Sequence, residues 1–303
     1  AHLVETETWR NAATVIMGVL LIGLGYWAYH GVRNSIAETR ISSLEALLGT
    51  VAKGLDVWVG EHTAEAARLA KDPVVVERAT RLAAEAERQS ATPGRCTAEA
   101  EELGSKVQSS LSTQGVVAFR IIDRTGLVLA SKDPALCGQR LRSGAFRQRL
   151  DLALDGAPQF VRPYPEAELS VKGASGQRRP VAWFLAPIRM GTGPAVAALA
   201  MGVEADGKLA TIFSAARPGN TAEAYAFSDD GLMLTPSRFA EELVAAGALN
   251  EAAASSSAFQ VLVRDPGGNL AAGHAPALEP AARPLTQPAA LAVAARGKTF
   301  ESD

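Results

Sequence analysis

Histidine and cysteine are scarce in this chain: four of one and two of the other among 303 residues. None stands at metal-ligand spacing, which excludes a CxxC zinc module, an iron–sulfur protein and an HExxH hydrolase. The histidines also weigh against nucleophilic catalysis, which needs a usable base. His2 and His30 flank or lie in an apolar run, and His62 falls in a helical pattern. Only His274 remains, in a Gly/Pro-rich loop. An excess of one charge is lacking as well: 30 Lys+Arg face 32 Asp+Glu, for a net charge of −2. A nucleic-acid binder needs a basic face for phosphates, so no nucleic-acid partner is expected. Aromatics are only 6%, yet apolar residues reach 48%, much of it alanine, too high for a disordered chain. No metal and no cofactor is expected.

What is present begins with one long uncharged run. Residues 11–32, NAATVIMGVLLIGLGYWAYHGV, contain no Asp, Glu, Lys or Arg. About 20 apolar residues at roughly 1.5 Å each cross the hydrocarbon core as a helix. Tyr26, Trp27 and Tyr29 cluster at one end, where amphipathic rings favour the headgroup layer. A cleaved signal peptide would have a shorter apolar stretch and a small-x-small cleavage site. The run therefore reads as a retained transmembrane helix over 12–32. The flanking charges do not decide its orientation. The chain opens on Ala1 and stops at Asp303 in mid-pattern, which reads as a piece of a longer protein.

Next, Ile41, Leu44, Leu48, Val51, Leu55 and Trp58 recur at spacings of 3 and 4. This is the seam of a short coiled coil, which predicts that Ile41, Leu44, Leu48, Val51 and Leu55 are buried. Either the seam packs on the chain's own sheet or it joins two copies of helix 36–58 as a homodimer. A second helix is predicted over Val74–Glu87 and a third over Ala98–Leu111, with Thr97 as N-cap.

Two segments resemble each other: VVAFRIIDRTGLVLAS from Val116 and AEAYAFSDDGLMLTPS from Ala222, with Gly126 and Gly231 at equivalent places. Each reads as strand, polar turn ending in glycine, strand. Asp229 and Asp230 read as turn residues, because no further carboxylates follow at calcium-loop spacing. After the first hairpin come a helix Ala145–Leu154 and strands Gln159–Pro163, Pro180–Met190 and Ala195–Glu204. That makes a five-stranded antiparallel sheet of α+β type. A helix Ala205–Ala215 leads into the second copy. Its hairpin is followed by a helix Phe239–Ala246, a strand Phe259–Arg264 and a helix Leu285–Ala295.

The membrane run, the long helix after it, IIDRTGLVLASKDP with LCGQRL, and PVAWFLAPIRMGTGPAVAALAMGVEAD together resemble the double Cache extracytoplasmic sensor domains. GNTAEAYAFSDDGLMLTPSRF is similar to the start of that family's second module. The resemblance implies an α+β chain: transmembrane and stalk helices, then tandem PAS-like antiparallel sheets, the second incomplete. The corresponding parts are 1–33 (flank and membrane helix), 34–111 (helical stalk), 112–215 (membrane-distal module) and 216–303 (membrane-proximal module). It implies a single pass in the cytoplasmic membrane, a sensor on its outer side, a homodimer, and a small-molecule ligand in the distal module. The output would lie in a kinase, cyclase or chemoreceptor module outside this chain. An adhesion or scaffold protein is the alternative, and an extracytoplasmic enzyme a more distant one.

Candidate ligand-binding residues are Phe146, Arg147, Phe160, Tyr164 and Trp183. Core packing is the competing reading for Trp183, and solvent exposure for Arg147. Family members that bind amino acids use an Arg-x-Trp-Tyr motif and an Asp ending the last strand. Here the nearest region is Arg142-Ser-Gly-Ala-Phe146, and Gly202 stands at the Asp position, so an amino-acid ligand is not implied. Cys96 and Cys137 either stay unpaired or, outside the cytoplasm, form a bridge. That bridge would close a loop of about 40 residues and contribute about 3–4 kcal/mol.

Overall fold

The computed structural model describes residues 2–88, 96–111, 115–172, 178–217, 219, 223–251 and 257–295; for residues 2–16, 37, 38, 40, 41, 111, 172, 178, 205, 206 and 271 it describes the backbone alone. The chain divides into two compact units, residues 1–52 and 53–303. The predicted membrane and stalk helices are one element, α1 (His2–Leu69). In the first unit every large apolar side chain from Met17 to Val32 is more than 60% exposed. Among the described residues, no helix is long and apolar enough to cross a membrane.

The predicted seam is only partly buried. Leu44 and Leu48 are 49% and 54% exposed in the single chain. The side chain of Ile41 lies outside the described residues. Val51 and Trp58 are buried, and Leu55 packs partly into the core.

In the second unit, α2 (Pro73–Arg88) starts where Asp72 accepts from the amides of Val74 and Val75, with proline in the first helical position. Its buried residues, Val75, Ala79 and Leu82, fall at spacings of 4 and 3, one helical face. α3 (Ala98–Leu111) starts at Thr97, whose hydroxyl accepts from the Ala100 amide at 3.2 Å.

The sheet has six strands: β1 (Val116–Asp123), β2 (Val128–Ser131), β3 (Gln159–Val161), β4 (Ser170–Lys172), β5 (Arg178–Arg189) and β6 (Ala195–Glu204). The order is β2-β1-β6-β5-β3, with β4 also paired to β5, and every pairing is antiparallel. The expected five strands therefore gain β4, three residues that alternation cannot single out. The helix between the strand sets is α4 (Gly144–Asp155), which ends at Gly156 with φ 148°. α5 (Ala205–Ser214) follows β6 directly.

Both sheet faces are covered, so β1, β5 and β6 read as nearly continuous apolar runs. One face, with Phe119, Ile121, Phe184, Leu199 and Met201, packs on the end of α1 and on α2 and α3. The other, with Ala118, Ile122, Trp183, Ala198 and Ala200, packs on α4 and the segment before β4. This is the α+β architecture that the sequence implies for its first module.

The internal repeat extends to individual hydrogen bonds. In the first hairpin the Asp123 amide donates to Leu127 O, the Gly126 amide to Asp123 O, and the Leu127 amide to the Asp123 carboxylate (3.0, 3.1 and 2.9 Å). In the second, Ser228, Gly231 and Leu232 make the same three contacts, with the Ser228 hydroxyl in place of the carboxylate (2.8, 2.7 and 3.1 Å). Both glycines have positive φ, 83° and 87°, which glycine adopts without steric cost. A third strip joins each hairpin: Leu141 donates to Gly126 O, and Val263 to Gly231 O.

The sequence implies an incomplete second sheet, and its described residues are joined by isolated bridges. Among the described residues, 216–295 contain only the isolated bridges Phe227–Met233, Leu232–Leu262 and Arg264–Leu285. The predicted strand Phe259–Arg264 is the strip beside the hairpin, the counterpart of 138–141, and its far end bridges to Leu285. The short helix α6 (Ala240–Ala245) packs through Ala240, Leu243 and Val244 on a small cluster of Met233, Leu249 and Val261, and a second short helix, α7 (Gln287–Ala294), follows.

Candidate ligand-binding cleft

A cleft of about 1340 Å³ opens over β1 and β2. Ala118, Arg120 and Val128 form its floor, segments 131–142 and 167–171 its walls, and Ala86–Arg88 at the end of α2 part of its rim.

The first wall is short, turn-rich chain held by its own polar groups. The Asp133 carboxylate accepts from the Ala135 amide at 3.1 Å and starts a 3₁₀ turn, Pro134–Leu136. The next residue, Cys137, is buried and disulfide-bonded to Cys96, with Cα atoms 5.1 Å apart. Of the two readings left open by the sequence, the paired one is observed, and the bridge ties this wall to the start of α3.

The second wall is anchored through Glu168. Its carboxylate accepts from the amides of Arg142 (2.5 Å) and Ser143 (3.2 Å). These donors at the start of α4 have no partner within the helix, and a negative charge is favoured there. The next carbonyl, Leu169 O, accepts from the indole Nε1–H of Trp183 at 2.8 Å. Ser170 donates to Ala167 O at 3.2 Å.

Arg120 lies on the floor. Strand alternation sends its neighbours Phe119 and Ile121 to the helical face and Arg120 to the cleft face. It is 2% exposed. Its guanidinium carbon stands 4.4 Å from the centre of the Trp183 ring, a cation–π distance. Nη2 donates to Glu168 O at 2.6 Å. At the rim, Arg179 and Glu204 form an ion pair at 2.5 Å.

None of the five candidate residues lines this cleft itself. Trp183 and Phe146 are fully buried behind it, edge to face at 6.1 Å, so Trp183 both packs the core and supports Arg120. Tyr164 packs at the edge of the same cluster, with the Arg162 guanidinium 4.0 Å over its ring. Arg147 is half-buried, donates to Arg124 O at 2.6 Å and pairs with Asp151 at 2.7 Å; it ties α4 to the first hairpin. Phe160 belongs to the other face. Its register partner is Phe184, and it packs with Phe184 and Trp58 beneath α1.

Sequence reasoning missed Arg120 and Glu168. Arg120 is the one charge inside the apolar strand FRII, a signal that pattern alone offers. Glu168 sits in an irregular stretch with no pattern to mark it. Among the described residues no group of three or more His, Cys, Asp and Glu side chains could hold a metal ion.

No protein-family model and no curated protein matches the chain. Solved structures do. The sensor domain of the V. cholerae histidine kinase DctB is 15% identical, with a TM-score of 0.43 over 67% of each chain. The ligand-binding domain of the Campylobacter jejuni chemoreceptor Tlp3, in complex with 4-methylisoleucine, is 12% identical, with a TM-score of 0.43 over 67% of this chain and 72% of that one. The ligand-binding domain of the Pseudomonas fluorescens chemoreceptor CtaA, in complex with L-valine, is 16% identical, with a TM-score of 0.39 over 67% and 77%. At identities this low the likeness says nothing of the ligand.

Proposed function

We propose that this chain is the ligand-sensing part of a membrane signalling receptor. In this reading 12–32 is embedded in the cytoplasmic membrane and 34–303 lies outside it. Residues 112–215 form the distal module, which binds a small molecule in the cleft, and 216–303 belong to a proximal module. Two copies associate through helix 36–58, and the output lies in a module outside this chain.

The observation that carries the reading is the cleft, with a buried arginine on its floor, on the sheet face opposite α1. β5 links the two faces. Trp183 supports Arg120, and its neighbour Phe184 contacts Trp58 and His62 of α1 at ring distances of 5.4 and 5.1 Å. A shift of Trp183 on ligand binding would therefore reach α1 through a single peptide unit.

The exposed apolar surface from Met17 to Val32 supports the membrane assignment, since a helix apolar on all sides needs a non-aqueous surrounding. The half-exposed Leu44 and Leu48 support the pairing of copies. The bridge Cys96–Cys137 supports an oxidising, extracytoplasmic location. The ligand is not a free α-amino acid in this reading. Gly202 stands where a carboxylate would hold the ammonium, and a Cβ there would meet Trp183 Cζ3 at 3.0 Å.

Topology is tested with Thr192→Cys, in the exposed turn between β5 and β6, and a membrane-impermeant thiol reagent on intact cells. Labelling before lysis is expected; labelling only after lysis overturns the orientation. Ligand sensing is tested by thermal shift of the whole chain in detergent against a broad panel of small metabolites.

A further inference from the structure

We propose that the cleft takes a small organic anion and that Arg120 on β1 anchors its acidic group. The proposal rests on the cleft being the ligand site. Among the described residues six cationic side chains line it: Arg88, Arg120, Lys132, Arg140, Arg142 and Arg179. Four carboxylates do: Glu87, Asp133, Glu168 and Glu204. Three of these four are engaged within the fold, Glu204 in the Arg179 ion pair, Glu168 with the amides that open α4, and Asp133 in the 3₁₀ turn. With the Arg179–Glu204 pair offset, five cations face three carboxylates, and walls of low polarisability concentrate that positive field on an entering anion.

Arg120 gives the field a fixed point. Its guanidinium is always charged and presents its donors in a planar fork that matches a carboxylate. The ring of Trp183 and the carbonyl of Glu168 hold that fork in place, so little side-chain entropy is lost on binding. The space exceeds what an inorganic ion needs, and Val117, Leu127, Leu136 and Val171 supply an apolar lining for a carbon skeleton. A zwitterion fits poorly, since the fourth carboxylate, Glu87, belongs to the rim at the end of α2.

The test uses the whole chain in detergent and two matched series: hexanoate, benzoate, phenylacetate and glutarate, and their neutral amides. Affinities are read by isothermal titration at low and high salt. At least one acid is expected to bind, its amide about tenfold or more weaker, with affinity falling as salt rises. Arg120→Gln should weaken the acid by about tenfold or more, and Arg120→Lys by less, because the charge stays and the fork is lost. Lys132→Gln, at an exposed wall position, should weaken it about two- to fivefold.

Amides that bind as well as their acids would overturn the anion class while leaving the cleft as a ligand site. Unchanged acid affinity in a folded Arg120→Gln protein would overturn the anchor. If Arg120→Gln does not fold, by circular dichroism, Arg120→Lys decides: undiminished acid affinity overturns the fork. Binding by neither series to the folded wild-type chain would overturn the ligand-site reading along with the proposal.

Discussion

Gly202 keeps the space that the Trp183 indole fills. It pairs with both Trp183 and Ala118, and a Cβ there would stand 3.0 and 3.1 Å from indole carbons and 3.1 Å from Ala118 Cβ. Neither neighbour is the free end of a flexible chain. Gly202→Ala should therefore cost about 1–3 kcal/mol by overpacking, and Gly202→Asp more, since it also buries an unpaired charge. Urea denaturation measures both; an unchanged midpoint would refute the packing account. Elsewhere, Asp230 accepts a hydrogen bond from the Ser228 hydroxyl, which holds its carboxyl below the usual carboxylate range. A depressed folded value means the contribution is present above the ordinary carboxylate pKa and is lost as pH falls through the folded one. In Ser228→Ala the Asp230 carboxyl should titrate at higher pH, as followed by NMR, and the hairpin should lose the stabilisation that the bond contributes above the ordinary carboxylate pKa. Titration at the wild-type pH would show that another group holds Asp230.

Among elements, α1 presents two surfaces to explain. From Trp58 to Leu69 its buried side chains belong to the sheet's helical face, whereas Leu44 and Leu48 are about half exposed. Leu48→Asp should move the detergent-solubilised chain from dimer to monomer in light scattering while leaving its thermal midpoint unchanged. A monomeric wild type, or an unaltered variant, would remove α1 as the seam. The cleft wall behaves as a second element. Its disulfide closes a 41-residue separation, worth about 4 kcal/mol in the chain-entropy model. The double variant Cys96→Ser/Cys137→Ser should lose roughly that much stability. Its fastest new hydrogen exchange should fall in 131–142, and uniform change across the chain would show that the bridge does not act on the wall in particular.

At the scale of the whole molecule, order is unequal between the repeats. Residues 181–204 sit in a six-stranded sheet buried on both faces, while the described residues of 223–264 are joined by isolated bridges and a small apolar cluster. Local opening should cost least where few backbone groups are laddered and few apolar side chains are covered. Hydrogen exchange should therefore protect 181–204 well above 223–264. Equal protection would mean that the second copy is as complete as the first.

Much of this architecture was legible in the sequence because its causes are local. Polar turns ending in Gly126 and Gly231 require positive φ, Thr97 offers a capping hydroxyl, and apolar runs such as VAWFLA and AALAM suit strands buried on both faces. What depended on pairing between distant segments was not legible. Phe160 and Trp183 look alike as pocket candidates, yet the register Val161 opposite Trp183 turns Phe160 to the other side of the sheet. Arg120 reads as an oddity in an apolar strand until a carbonyl 48 residues away and the face of Trp183 account for it. Sequence by itself determined the helices, the hairpins and the bridge's permissibility, since periodicity, caps and turn residues act within a few positions. Only the tertiary structure decided which face each strand turns to α1, that the bridge joins the cleft wall to α3, and where the cleft lies. Those follow from register and long-range packing, which neighbouring residues do not encode.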